Sequence, residues 1–224
     1  MAAGLGTRMR PLTSKVPKPL IKVHNIPMIE TVIKALENAN VSKIYVVTGY
    51  LSEKFNYLTK KYPSITLVYN PDYQTVNNIS SIYNAKDVLL QGDCFICETD
   101  LYISDLNIFK ANLKHSCYFG KMVKGLSNDW VFDLDAKGYI TRVGRAGNNK
   151  YNMVGLTYFT KSGAKILANA INDAYKVAGY EQLFYDDVVN KHLDQLKLKI
   201  HPVTLDQVVE IDTVEELNKV NSEV

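Results

Sequence analysis

Apolar positions in the first hundred residues alternate between two spacings. After Pro27, the residues Met28, Ile29, Val32, Ile33 and Leu36 recur on one face of a helical period, and a proline is well placed to open such a helix. The run 44–47 is continuously apolar and closed by Thr48 and Gly49, which predicts a short buried strand. A second helix is expected over 52–61, stopped near Pro63, followed by a strand over 65–69. A further helix runs through Ile79, Ile82, Tyr83 and Leu89, and a further strand covers 94–97. This alternation predicts an α/β fold, a mostly parallel sheet with helices on both faces.

Past Asp100 the spacing changes. Strands are expected over 118–123, 130–134 and 139–143, with 135–138 as a hairpin turn, and another strand over 151–159. Helices follow at 163–178 and 181–196. A last strand leads through His201 to Asp212, and Thr213 with Glu216 forms the Ser/Thr-x-x-Glu box that starts a terminal helix. The second half thus adds antiparallel strands. No Gly/Ser-rich linker intervenes, so one domain over 1–224 is expected, its halves meeting near 115/116.

Composition narrows the class. Hydrophobic residues make up 46% and charged residues 22% of the 224 positions, an ordinary globular mix rather than a disordered one. No apolar run approaches the roughly 18 residues of a membrane span. The net charge of +3 is too small for a protein that coats nucleic acid. Its distribution is uneven: Arg8, Arg10, Lys15, Lys18 and Lys22 all precede Glu30, the first acidic residue. That segment suits a polyanion. It does not suit a targeting leader, because Pro11, Pro17 and Pro19 break any helix there. Cys94, Cys97 and Cys117 are odd in number, and alternation sends Cys94 and Cys97 to opposite faces. No second Cys/His pair follows at zinc spacing. Reduced thiols in a cytoplasmic protein are expected. His24, His115, His192 and His201 lack triad spacing and read as structural.

The chemistry concentrates at the start. In Ala2-Ala3-Gly4-Leu5-Gly6-Thr7-Arg8, the glycines let backbone N–H groups approach an anion, Thr7 offers a hydroxyl, and Arg8 and Lys18 supply charge. The loop is neither a P-loop nor a dinucleotide fingerprint. With Pro11, Thr13 and Pro17-Lys18, the string resembles the G-x-G-T-R-x-x-P-x-T…P-K signature of the nucleotidyltransferase superfamily. Over nearly the whole chain the sequence is most similar to bacterial CTP:phosphocholine cytidylyltransferases, through Val47–Leu51, Tyr69-Asn70, Asn77–Ser81, Glu98–Asp100, Asp129-Trp130 and Glu210–Asp212. The resemblance implies a Rossmann-like sheet, a nucleotide-binding first half and an acceptor-binding second half. It also implies a short apolar strand ahead of Ala2, which would lie upstream of Met1.

Asp100 ends a strand, where ligands bind in open α/β sheets, and a carboxylate there can hold Mg²⁺. The resemblance adds Asp212 as second metal ligand, although an Asp before a helix is also a common cap. It assigns CTP phosphates to Arg8 and Lys18, the nucleotide to Ala3, Gly4, Gly6, Thr7 and Tyr50, and the base to Asn78 and Ser80. The acceptor falls to Asp129, Trp130, Tyr185, Asp186 and Glu210. An aromatic–acidic pocket suits a quaternary ammonium, which cannot donate a hydrogen bond. Helix capping by Asn78 and core packing by Trp130 and Tyr185 are the competing structural readings. The implied reaction is CMP transfer from CTP to phosphocholine, giving CDP-choline and pyrophosphate. Its alternatives are 2-aminoethylphosphonate or phosphoethanolamine as acceptor, a hexose-1-phosphate nucleotidyltransferase, and a non-catalytic regulatory subunit. A fused or partnered domain of the same pathway is left open.

Overall fold

Residues 1–222 are described in the computed structural model of the chain. The first half runs β1 (Lys22–Val23), β2 (Ile26–Pro27), α1 (Met28–Asn38), β3 (Ile44–Thr48), α2 (Asn56–Lys61), β4 (Ile65–Tyr69), α3 (Ile79–Asn84), α4 (Lys86–Leu89), β5 (Cys94–Cys97) and β6 (Leu101–Ile103). The second runs β7 (Cys117–Leu134), β8 (Ile140–Phe159), α5 (Lys161–Ala174), α6 (Tyr185–Asn190), α7 (Leu193–Leu196), β9 (Lys199–Pro202), β10 (Val208–Glu210) and α8 (Val214–Ser222). The fold is mixed α/β, with parallel strands, helices and added antiparallel strands, as the periodicity predicts. No helix among the described residues is long and apolar enough to cross a membrane.

The chain divides into two compact units that interleave in sequence. The first takes Met1–Gln74, Glu98–Ala111 and the chain from Asp206 onward. Here β3 pairs in parallel with β4, and Ala2 extends the pairing on the other side: it bridges Thr48 in parallel and donates its N–H to Val47 O at 2.7 Å. Met1 O accepts from Thr99 Oγ1 at 2.7 Å. Strand β6 pairs antiparallel with β10, placing Leu101 opposite Glu210. Helix α1 buries Met28, Ile29, Val32, Ile33 and Leu36, the residues its period selected. His24 and Asn25, both at positive φ, turn β1 into β2, the conformation a two-residue hairpin loop demands.

The second unit takes Thr75–Cys97 and Asn112–Leu205. Its sheet is ordered β5-β8-β7-β9, with β7–β9 parallel and the other two pairings antiparallel. The Cys94–Cys97 strand is therefore where expected but antiparallel to its neighbour. The separate strands read over 118–134 and 139–159 are two long, bulged strands. The bulges let Asn152 and Tyr151 pair on one side with Lys121 and Met122 and on the other with Val131 and Phe132. Asp135–Gly138 makes the expected turn, with Gly138 N donating to Asp135 O at 3.0 Å and Gly138 at φ 78°.

Other boundaries move for local reasons. The helix of 52–61 begins as a 3₁₀ turn, and that of 79–89 breaks at Ala85. The expected 181–196 helix is broken: Phe184 is extended, and Asp187 accepts its N–H at 2.8 Å, restarting the helix as α6. The single final strand divides into β9 and β10, one in each unit. The capping box at Thr213 forms as read, with Glu216 N on Thr213 Oγ1 and Thr213 N on Glu216 Oε2.

One buried acid shows how the first unit is fastened. Glu30 on α1 is 3% exposed and accepts from Tyr57 Oη, Tyr62 Oη and Lys61 Nζ at 2.9, 2.7 and 2.5 Å. Burial raises its pKa, but the hydrogen bonds from Lys61, Tyr62 and Tyr57 outweigh it, and the carboxyl lies below its ordinary 4.5. A lowered acid pKa contributes stability that is present above the unfolded value and lost as pH falls through the folded one. Glu30→Gln should cost about 2–3 kcal/mol at pH 7, as for hydrogen bonds to a charged group. The wild-type and variant melting temperatures should converge on acidification below pH 4.5. A gap independent of pH would assign the loss to packing instead.

Candidate active site

The glycine loop, the Lys18 segment and two strand ends meet in the first unit. Thr7–Met9 is a 3₁₀ turn entered from Gly6 at φ 60°. A Cβ on Gly6 would stand 2.9 Å from Lys18 Cβ and 3.1 Å from Thr13 Cγ2, so glycine is required there twice over. Thr13 Oγ1 closes the loop by donating to Gly6 O at 2.8 Å. Met9, fully buried, packs with Ile21, Val23, Met28, Ile211 and Leu217. That cluster ties the loop to the C-terminal strand end and leaves Arg8 exposed beside Asp212. Tyr50 braces the loop: its N–H meets Ala3 O at 3.1 Å and its hydroxyl meets Thr13 O at 3.0 Å. Gly4 and Thr7 are exposed, and Ala3 is buried.

Lys18 is held in a turn between Pro17 and Ile21 and is 8% exposed. Its ammonium donates to Asp100 Oδ2 at 2.8 Å and Asp212 Oδ1 at 2.5 Å. Arg8 reaches the same Asp212 oxygen at 2.7 Å. The β6–β10 ladder makes this convergence possible, since Ile211 N donates to Asp100 O at 3.0 Å and so sets both aspartates at one end. Burial pulls the Lys18 pKa down, but the charge of Asp100 and the hydrogen bonds to both aspartates outweigh it, and the net direction is upward. Arg8 and Lys18, read as phosphate contacts and catalytic residues, and Asp100 and Asp212, read as metal ligands and catalytic residues, thus form one charged cluster.

The carboxylates closest to one another are a different set. One oxygen each of Glu98, Asp100 and Glu210 lie within 4.8 Å of one another, the one such potential metal group among the described residues. Asp100 Oδ1 is buried and has no hydrogen-bond partner among the described residues, which fits a hard cation seeking oxygen ligands. In the sequence neither Glu98 nor Glu210 stands out as a metal-ligand candidate, and the resemblance assigns Glu210 to the acceptor. The signal was present: Glu98-Thr99-Asp100 and Glu210-Ile211-Asp212 are both Glu-x-Asp, and alternate residues of a strand share a face.

The remaining candidates lie in the second unit. Asn78 Oδ1 accepts from Tyr185 N at 2.9 Å, and Ser80, 1% exposed, donates to Asn77 O at 2.9 Å. Tyr185 and Asp186 are core residues, 1% and 3% exposed. Tyr185 Oη is 3.1 Å from Thr157 Oγ1, and Tyr118 Oη donates to Asp186 at 2.7 Å. Burial raises the Asp186 carboxyl to about 7, although the Tyr118 and Tyr185 hydrogen bonds pull it back. The expected acceptor wall at these two positions is therefore sealed by internal bonds. Trp130 meets Phe184 edge-on at 5.8 Å, and Arg145 lies 5.1 Å from its ring centroid. Asp129 is exposed and accepts from Asn152 Nδ2 at 3.1 Å. The three cysteines are free, and burial pushes the Cys94 and Cys117 thiols up to about 12.

Residues 1–123 match the nucleotidyl transferase family. The chain is 58% identical to a 2-aminoethylphosphonate cytidylyltransferase of Lancefieldella rimae over 97% of this chain and 88% of that one. It is 31% identical to a choline-phosphate cytidylyltransferase of Streptococcus pneumoniae over 98% and 94% of the two chains. A solved structure of CTP:phosphocholine cytidylyltransferase from Streptococcus pneumoniae superposes with a TM-score of 0.91, at 29% identity, over 99% of this chain and 95% of that one. The chain belongs to the nucleotidyl transferase family and, within it, to the cytidylyltransferases.

Lys18 is the buried cation of this cluster, and Arg8 the exposed one. Lys18→Met should lower kcat by about 10²–10³-fold, the usual cost of removing one preorganised charge donor. Arg8→Ala should cost less, because its side chain is 68% exposed and screened by water. Steady-state rates of CTP-dependent pyrophosphate release check both. An unchanged kcat in Lys18→Met would make Lys18 a structural lysine.

Proposed function

We propose that this chain transfers the cytidylyl group of CTP to 2-aminoethylphosphonate, forming CMP-2-aminoethylphosphonate and releasing pyrophosphate. The observation that carries the reading is the 58% identity to a cytidylyltransferase named for that acceptor, against 28–31% for two choline-phosphate cytidylyltransferases. Phosphocholine, the acceptor implied by the sequence resemblance, gives way to the primary-amine alternative. The surroundings of Trp130 support the change, because Arg145 already lies against the ring that a trimethylammonium would use.

An ionised phosphonate oxygen is itself the nucleophile. It attacks the α-phosphorus of CTP, the new P–O bond forms, and the α–β bridging oxygen leaves with pyrophosphate. No Ser, Cys or His nucleophile is needed; the obstacle is repulsion between two anions. In this reading Arg8 and Lys18 face the triphosphate, and the Ala3–Thr7 loop offers backbone N–H groups. Asn78 keeps its amide NH₂ for the acceptor edge of cytosine, while Ser80 fixes the loop from beneath. A divalent cation, taken as Mg²⁺, would be held by Asp100 with Asp212, and by Glu98 and Glu210 beside them. The chemistry it supplies is neutralisation of charge between triphosphate and acceptor.

At saturating CTP, kcat/KM should be highest for 2-aminoethylphosphonate, lower for phosphoethanolamine and lowest for phosphocholine. Pyrophosphate release with each acceptor measures this. A higher value for phosphocholine than for 2-aminoethylphosphonate would return the chain to the choline branch.

A further inference from the structure

Asn152 sits on β8 between two strands, opposite Lys121 on one side and Val131 on the other, and is 2% exposed. Its Nδ2 donates to Ser127 Oγ at 2.7 Å and Asp129 Oδ2 at 3.1 Å. The carboxylate fixes the orientation of the amide, because only the nitrogen end can donate to it. The other end, Oδ1, is buried with no hydrogen-bond partner among the described residues. A buried carbonyl oxygen without a donor is uncommon and calls for a ligand or a function.

The neighbours indicate what would complete it. Asp129 supplies an exposed carboxylate, one oxygen of which accepts from Asn152 Nδ2, and Asn152 Oδ1 lacks a donor among the described residues. Trp130, next to Asp129, is paired across the ladder with Arg145, whose guanidinium lies 5.1 Å from the ring centroid. A trimethylammonium has no N–H and needs an open aromatic face. A primary ammonium carries three N–H donors and needs oxygen acceptors. This cluster offers the second chemistry.

We propose that Asn152, with Asp129, forms the subsite for the acceptor's primary ammonium, and that Asn152 Oδ1 is the atom that sets ammonium apart from trimethylammonium. The inference rests on cytidylyl transfer to an amine-bearing acceptor. Arg145, 5.1 Å from the Trp130 ring centroid, already pairs that ring with a cation.

The test uses two matched pairs that differ only in N-methylation: 2-aminoethylphosphonate with its N-trimethyl analogue, and phosphoethanolamine with phosphocholine. Pyrophosphate release at saturating CTP is measured for the wild type, Asn152→Leu and Asn152→Asp. The wild type should prefer the primary amine in both pairs by about tenfold or more, the scale expected when a buried polar group would be left unpaired. Asn152→Leu should bring each pair close to parity. Asn152→Asp keeps an oxygen acceptor and should keep the preference, although it can no longer donate to Asp129. A merely structural Asn152 predicts the reverse, with Asp at least as damaging as Leu. Absence of the preference in the wild type, its survival in Asn152→Leu, or its loss in a folded Asn152→Asp would each overturn the assignment. If Asn152→Leu does not fold, the Asp variant and the wild-type pairs decide. The phosphonate reading fails separately, if the wild type favours phosphoethanolamine over 2-aminoethylphosphonate while still rejecting methylated amines.

Discussion

A single buried ammonium organises the first unit. Lys18 stands between Asp100 and Asp212, residues 82 and 194 positions away in the chain. Two aspartates at the end of one strand ladder would repel, and a lysine out of water would lose its charge. The two aspartates outweigh the effect of burial on Lys18 and raise its pKa, so its charge depends on both being in place. The positions that look local in the sequence serve this arrangement. Gly6 is glycine because Lys18 Cβ leaves no room for a side chain. Met9 is buried so that the loop is pinned beside Ile211, one residue before Asp212. Pro17 and Pro19 limit the backbone on both sides of the lysine.

We read the cluster as a site, on two observations. Replacing a buried ion pair by apolar residues is often neutral or stabilising, so such a charge set is weak evidence for stability. Here one carboxylate oxygen of Asp100 is left unpartnered among the described residues, and Glu98 and Glu210 add acid around it. An arginine at the rim is exposed. Concentrated cations beside concentrated oxygen ligands are what an enzyme needs to bring two polyanions together.

The second unit carries the residues that the proposed acceptor reading invokes. Tyr185 and Asp186, an aromatic–acidic pair by sequence, turn inward and bond to Thr157 and Tyr118. Asp186, 3% exposed, is committed to the core by its bond from Tyr118 and presents no carboxylate to an external cation. The bulges of β7 and β8 instead bring Ser127, Asp129 and Trp130 against Asn152 and Arg145. In the proposed reading these polar groups would receive a hydrogen-bonding ammonium.

Local physics made much of the molecule legible in the sequence. The helical period named the large apolar residues that α1 buries, though not Glu30, Thr31 and Ala35 beside them; apolar runs located β3, β4 and β5, and the Thr213–Glu216 box marked the start of α8. Glycine, proline and charge marked the loop with Arg8 and Lys18 as an anion site and the family resemblance added Asp212 to Asp100 as metal ligands, but that Lys18 and Arg8 pair with these aspartates came only from the structure. The pairing partners of strands were not legible. A strand reads the same whether its neighbour runs parallel or antiparallel, so β5 joined β8, and one apparent final strand became β9 and β10 in separate units. The direction of a side chain at a helix start was also out of reach, and Tyr185 and Asp186 went into the core. Asn152 carried no motif at all. Its significance comes from burial and from the carboxylate that orients its amide, and both exist only once β7 and β8 have folded onto each other.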